Sequence, residues 1–264
     1  MLSESLCLAT IDVVKQTGTF IKEERQKFDI SKVEHKGVHN FVTYVDKAAE
    51  RMLVSGLANL LPDSAFLAEE GTTETIENAN LWIIDPLDGT TNFIHGLNPY
   101  AISVALVING VPEIGVVYEI SMDECFYAIR GQGAFLNGNR IQVSNATSIN
   151  DSLIATGFPY YNYSRLDLFM NSLSYFMKNS HGLRRLGSAA TDLAYVACGR
   201  FEAFYEYSLQ PWDVAAGALL VTEAGGTVSD FEGGDTYVYG KEIIATNAHI
   251  YNDFLKAVKD IFNS

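Results

Sequence analysis

The sequence predicts an α+β half followed by an α/β half, with one site at their junction. Three observations carry that prediction. Apolar residues recur at helical spacing from Leu2 to about Lys27, and two Asn-Gly pairs, Asn109-Gly110 and Asn137-Gly138, each separate two apolar runs. From about residue 150, short strand-like runs alternate with helical stretches. The halves span 1–147 and 148–264, and 264 residues with 48% hydrophobic content suffice for a sizeable core.

Leu6, Ala9, Val13 and Phe20, with neighbours Thr10, Val14 and Ile21, form the apolar stripe of the first helix. The polar stretch 31–40, SKVEHKGVHN, reads as a mobile loop. A second helix runs from about Asp46 to Leu61, where Pro62 closes it, and strands follow at Ala65–Ala68 and Leu81–Ile84. YAISVALVIN and VPEIGVVYE then flank Asn109-Gly110; Asn-Gly suits the tight hairpin turn that needs positive φ at both central residues. In the second half, strands are expected at Leu153–Ala155, Leu183–Leu186, Phe201–Tyr207, Gly226–Ser229 and Ile243–Thr246, with helices between most of them and at the end.

Acidic residues exceed basic ones by 32 − 18 = 14, spread along the chain. That balance disfavours a direct grip on nucleic acid or an anionic membrane, both of which need clustered Lys and Arg. Cys7, Cys125 and Cys198 are odd in number and far apart, so they read as buried free thiols of a reducing compartment. Glu4, Asp12 and Lys15 interrupt the first apolar pattern and no long apolar run follows, which gives the expectation of a cytoplasmic protein.

Three segments carry chemistry. In IIDPLDGTTNF, residues 83–93, a buried strand ends at Asp85, and Pro86 fixes φ and removes a donor, so the chain must turn. The turn lets Asp85, Asp88 and the carbonyl of Leu87 converge on a hard cation such as Mg²⁺. Gly89 permits an unusual backbone angle, and the amides of Gly89, Thr90 and Thr91 can face an anion. The bland alternative is a capped turn with two solvated aspartates. AFLAEEG places Glu69 and Glu70 at the end of a short apolar strand, where charge suits only a sheet edge or a site. QPWDVAAGALLVTEAGG places Asp213 at the start of an apolar helix, where a helix N-cap is the ordinary alternative.

Together, Glu69-Glu70, WIIDPLDGTTNF at 82–93 and WDVAAGALLVTEAGG at 212–226 resemble the inositol monophosphatase family of metal-dependent, lithium-sensitive phosphatases. FVTYVD at 41–46, GAFLNGNRIQVS at 133–144 and RLGSAATDLAYVACGRFEAFYE at 185–206 extend the resemblance over nearly the whole chain. It implies a layered αβαβα sandwich of the inositol monophosphatase and fructose-1,6-bisphosphatase type. It further implies a Mg²⁺-dependent phosphomonoesterase that uses two or three ions and acts by direct attack of activated water.

On this resemblance the metal ligands are Glu69, Asp85, the carbonyl of Leu87, Asp88 and Asp213. Glu69 and Thr90 orient the attacking water, with Asp46 beside Thr90. Gly89 and Thr90 hold phosphate, and Asp88, Gly187, Ser188, Ala189 and Glu206 line the alcohol portion of the substrate. Lys36 lies on the loop that closes over the metals, and Ala68 departs from the glycine common before the glutamate pair. The leading substrate is inositol monophosphate; relatives of the scaffold act on NADP, fructose 1,6-bisphosphate, phosphoadenosine phosphate or histidinol phosphate. The resemblance also implies a homodimer, while the acidic balance gives the expectation of no membrane and no nucleic acid as partners. A regulatory binding role in RNA metabolism is the alternative of a different class.

No P-loop, EF-hand loop or zinc pattern competes, and Ser188 has no nucleophile-elbow context.

Overall fold

The computed structural model describes residues 2–28, 34–37, 40–72, 79–159 and 163–264. The chain begins with α1 (Leu2–Gln26), β1 (Glu34–Gly37), β2 (Asn40–Val42) and α2 (Tyr44–Leu60). Strands β3 (Ala65–Ala68) and β4 (Asn80–Asp88) lead to the short α3 (Thr90–His95). Next come β5 (Ala101–Ile108), β6 (Val111–Glu119), β7 (Glu124–Ile129), β8 (Gly133–Leu136) and β9 (Asn139–Ile141). The second half contains β10 (Leu153–Thr156), α4 (Leu166–Asn179), β11 (Gly182–Arg184), α5 (Ala189–Ala197) and β12 (Ala203–Tyr207). It ends with α6 (Pro211–Glu223), β13 (Thr227–Ser229), β14 (Glu242–Thr246) and α7 (Tyr251–Phe262).

Two mixed sheets result. Strands β3 to β9 form a seven-stranded sheet in sequence order, with β3 and β4 parallel and the remaining pairs antiparallel. The five-stranded sheet has the order β11-β10-β12-β14-β13. Both Asn-Gly turns take the expected backbone: φ is 52° and 80° at Asn109 and Gly110, and 48° and 83° at Asn137 and Gly138.

The layers follow from which strand faces are apolar. In β5, Ile102, Val104 and Leu106 enter one core with α1 and α2, while Ala101, Ala105 and Val107 enter another with α5 and α6. A strand buried on both faces reads as a continuous apolar run, as AISVALVI does. The second core also takes Ala155, Phe204, Ile243 and Ala245 from the five-stranded sheet, so α5 and α6 lie between the sheets. Being covered on all sides, α6 is apolar around its whole circumference. Phe169 and Phe176 of α4 with Phe254, Val258 and Phe262 of α7 cover the outer face of the smaller sheet. The architecture is the αβαβα sandwich.

Some expectations are corrected. The stretch 31–40, read as a loop, contributes β1 and part of β2, which pair antiparallel; residues 29–33, 38 and 39 and the side chain of Lys36 lie outside the described residues. Local polarity hid this hairpin because short strands need no apolar alternation when they pair mainly with each other. The strand expected at 183–186 stops at Arg184, where the chain turns toward Gly187 with φ at 88°. Cys7 and Cys125 are buried free thiols, whereas free Cys198, at the end of α5, is partly exposed. Among the described residues, no helix is long and apolar enough to cross a membrane.

The central helix sits close to the larger sheet. A Cβ at Gly115 of β6 would lie 2.8 Å from the carbonyl oxygen of Ala216 and 3.2 Å from its Cα, both backbone atoms of α6. Gly115→Ala should therefore force α6 outward and cost about 1–3 kcal/mol. At this chain length that is a fall of roughly 2–4 °C in Tm per kcal/mol, measurable by thermal unfolding; an unchanged Tm would mean that the layers have slack at this contact.

Candidate active site

The first carboxylate arrives because two parallel strands end together. Ala68 of β3 pairs with Ile84 of β4, and the Glu69 amide donates to the Ile84 carbonyl at 3.2 Å, carrying the pair one residue further. Glu69 thereby stands beside the strand position of Asp85. Beyond Glu69, Glu50 of α2 accepts from the amides of Glu70 and Thr72 at 2.7 and 2.6 Å and pins the segment down.

The second group comes from the end of β4. Its register with β5 is broken between Asp85 and Asp88, where Pro86 offers no N–H to the ladder. The Leu87 amide donates to Asp85 Oδ1 at 2.9 Å, fixing that carboxyl, which is 2% exposed. Asp88 Oδ2 accepts from Ser188 Oγ and from the Ala190 amide, each at 2.7 Å, and so ties β4 to the start of α5.

Gly89 then takes φ 91°, and a Cβ there would lie 3.0 Å from the Pro99 carbonyl oxygen and 3.2 Å from that of Gly187. Only glycine suits both the angle and the space. It opens α3, whose first-turn amides have no intrahelical acceptor.

Asp213 comes from the opposite side. It is the third residue of α6 rather than its N-cap, and its Oδ2 accepts from the amide of the N-cap residue Gln210 at 2.7 Å. The N-cap expected as the ordinary alternative falls to Gln210, while Asp213 serves the capping box from the third helical position and also lines the cavity. The tie that sets α6 against β4 is Ser103, which pairs with Asp85 across the sheet and donates its hydroxyl to the Trp212 carbonyl at 3.0 Å. Sequence reasoning passed over Ser103 because it is one small residue inside an apolar strand.

Thr90 and Asp46 meet as expected: Thr90 Oγ1 lies 3.0 Å from Asp46 Oδ1 and 2.9 Å from the Leu87 carbonyl oxygen, and its single proton serves one of them at a time. Asp46 Oδ2 in turn accepts from the Thr43 amide at 2.8 Å.

Glu69, Asp85, Leu87, Asp88, Gly89, Thr90, Gly187, Ser188, Ala189, Glu206 and Asp213 all line one cavity of about 490 Å³. Asp46 stands behind its wall. Glu206, on β12, is 8% exposed, and its carboxyl occupies the space beside Gly157, where an added Cβ would fall 1.9 Å from it. Gly157, Phe158 and Asp192 are among the lining residues that were not singled out for the site. Arg185 stacks over Phe158, its guanidinium carbon 5.1 Å from the ring centre.

Burial sets the electrostatics. It raises the carboxyl of Asp85 well above the usual range, with the charges of Glu69, Asp88 and Asp213 adding to the effect. Burial raises Asp213 likewise, reinforced by Asp88. Asp88 is also raised by burial, while its bonds from Ser188 and Ala190 oppose the shift. Glu206 is pushed up to about 8 by burial and by Asp88, with Arg185 pulling the other way.

The donor set is all oxygen, carboxylates plus one main-chain carbonyl, which fits a hard divalent cation. The donors run along the cavity wall: among the described residues, no three His, Cys, Asp or Glu side chains are grouped tightly enough to enclose a single ion.

Comparison with known proteins gives consistent relatives. The model of the family described as "Inositol monophosphatase family" matches residues 3–261. The Nus factor SuhB of Escherichia coli K12 is 41% identical over 251 residues, 95% of this chain and 94% of that protein. The structure of extragenic suppressor protein suhB from Bartonella henselae superposes with a TM-score of 0.91 at 38% identity, covering 97% and 98% of the two chains. The inositol-monophosphate-bound structure of the staphylococcal IMPase-II superposes with a TM-score of 0.77 at 27% identity, covering 96% and 94%. With the family model spanning nearly its full length and its strands, turns and carboxylates in this arrangement, the chain belongs to the inositol monophosphatase family.

Proposed function

We propose that the protein is a Mg²⁺-dependent phosphatase of a small phosphorylated polyol, with inositol monophosphate as the leading substrate. The observation that carries this reading is that one cavity is lined both by the carboxyls of Glu69, Asp85, Asp88 and Asp213 with Thr90 and by Gly187, Ser188, Ala189 and Glu206. The first set suits a phosphoryl group with its cations, and the second suits an alcohol rich in hydroxyls. The staphylococcal IMPase-II seen with inositol monophosphate supports the substrate class.

Glu69, Asp85, the Leu87 carbonyl, Asp88 and Asp213 would hold two or three Mg²⁺ ions, which supply charge neutralisation for the phosphoryl oxygens and a lowered pKa for water at the site. The Thr90 hydroxyl donates its hydrogen bond to the Leu87 carbonyl or to Asp46, and so presents a lone pair to the attacking water. Glu69 takes that water's proton, and Asp46, held by Thr43, keeps the Thr90 hydroxyl aimed. The amides of Gly89 and Thr90 face the phosphate. Glu206, neutral up to about 8, accepts and donates to hydroxyls without repelling the ester as an ionised carboxylate would. Inhibition by Li⁺, a homodimer and a cytoplasmic location complete the proposal as the family resemblance implies them.

A second reading rests on the name of the Escherichia coli relative, a Nus factor. With a net charge of −14, this chain suits a protein partner better than direct contact with RNA. Retention on RNA at physiological salt would favour direct binding.

A screen of inositol monophosphate, NADP, fructose 1,6-bisphosphate, phosphoadenosine phosphate and histidinol phosphate tests the main reading. Turnover is expected with Mg²⁺ and none with a chelator; chelator-insensitive hydrolysis would contradict it. Thr90→Ala should lower kcat by about 10²–10⁴-fold with little change in Mg²⁺ activation, while Thr90→Ser keeps much of the rate. An equal loss in both variants would deny the hydroxyl its role.

Stability gives a test without substrate. Burial raises Asp85, Asp213 and Glu206, so the folded chain keeps protons that the unfolded chain releases near pH 4. Their contribution to stability is therefore full below about pH 4 and is lost as pH rises, for Glu206 through about 8. In chelator, Tm should fall across this window, and Mg²⁺ should raise Tm more at pH 8 than at pH 5. Asp213→Asn should remove most of that rise. A Mg²⁺ effect independent of pH would argue against carboxylate ligands.

A further inference from the structure

One carboxyl in the cavity has no part in the assignment above. Asp192 lies on the first turn of α5, is 1% exposed and lines the cavity. Its Oδ1 is buried and has no hydrogen-bond partner. The ordinary reason for an acid on a first helical turn is capping, but that post is filled. Ser188 is the N-cap residue, with Oγ accepting from the Thr191 amide at 3.3 Å. A buried, unsatisfied carboxyl oxygen costs free energy that a leucine or alanine in the same helix would not. The groups acting on it are Glu206 and Asp88, which repel its charge, and Arg185, which attracts it. Asp192 therefore lies in the part of the cavity that Glu206, Asp88 and Arg185 share.

We propose that Asp192 is a specificity-determining residue whose carboxyl binds a hydroxyl on the alcohol portion of the substrate, at a position separate from the one that Glu206 serves. The proposal rests on the phosphatase reading above and deepens it. Two carboxyls on different elements, Asp192 on α5 and Glu206 on β12, select an alcohol with hydroxyls in at least two directions. A hydroxyl both donates and accepts, so it satisfies a carboxyl in either protonation state. A second phosphate would meet two acidic groups with Arg185 as the counter-charge, and an alkyl group would leave the Asp192 carboxyl as unsatisfied as before. The substrate class that fits is a monophosphorylated polyol.

The test compares two esters that share a ring and differ in hydroxyls: myo-inositol 1-phosphate and cyclohexyl phosphate, both with Mg²⁺. In Asp192→Ala, the ratio of kcat/KM for the inositol ester to that for the cyclohexyl ester is expected to fall about tenfold to a hundredfold, the loss of one hydrogen bond to a carboxyl. The near-isosteric Asp192→Asn keeps one acceptor oxygen and should lose less of the ratio. It also decides the matter if the alanine variant does not fold, since any fall in its ratio supports the proposal and an unchanged ratio overturns it. Equal losses on both esters would make Asp192 structural and overturn the proposal alone. A wild-type protein inactive on both esters would overturn the phosphatase reading, and the proposal with it.

Discussion

Like charges are brought together at one end of this fold, and the layers around them keep them there. Asp85 and its neighbours Glu69, Asp88 and Asp213 repel one another where burial already disfavours ionisation. Each aspartate is held through one oxygen by an amide: Leu87 for Asp85 and Gln210 for Asp213 from their own segments, and Ala190 for Asp88 from across the fold. Those amides belong to β4, α5 and the segment entering α6, so orientation of the carboxyls depends on the position of three elements. The broad apolar core between the sheets supplies the rigidity, and a divalent cation would turn the repulsion into attraction.

The central layer has a second consequence. Because α5 and α6 are shared by both sheets, Asp213 on one helix and Ser188 and Ala189 at the start of the other are set by one packed unit. Asn92 reinforces this by donating to the carbonyls of Pro99 and Leu186, each at 2.8 Å, which locks α3 to the turn preceding Gly187. Small residues make the approach possible. A Cβ on Gly217 of α6 would lie 2.5 Å from the Cβ of Leu193 on α5, so the two helices pack at backbone distance. The carboxyls on either side of the cavity are thus mechanically connected through the central layer.

Much of the site was legible because its signals are local. Asp85, Pro86, Asp88 and Gly89 lie within five consecutive positions, and a proline followed by a glycine at a strand end states a turn in terms that spacing can read. The double burial of β5 and α6 was visible as unbroken apolar runs. Asp213, Asp46 and Glu206 became site residues only through the family resemblance, since each has an ordinary local explanation. What escaped notice is long-range and depends on single contacts. Ser103 reaches a carbonyl 109 positions away. Gly157 makes room for Glu206, and Asp192 reads as a helix-start acid until its burial and its unpartnered oxygen are seen. No periodicity records such pairings.

The central claim is that buried repulsion among these carboxylates marks a divalent-cation site. Diffraction from crystals soaked in Mn²⁺, collected at the manganese absorption edge, tests it most directly. Anomalous peaks are expected about 2 Å from carboxyl oxygens of Glu69, Asp85, Asp88 and Asp213 and from the Leu87 carbonyl oxygen. Peaks confined to other surfaces, or none at a concentration that supports turnover, would contradict the claim.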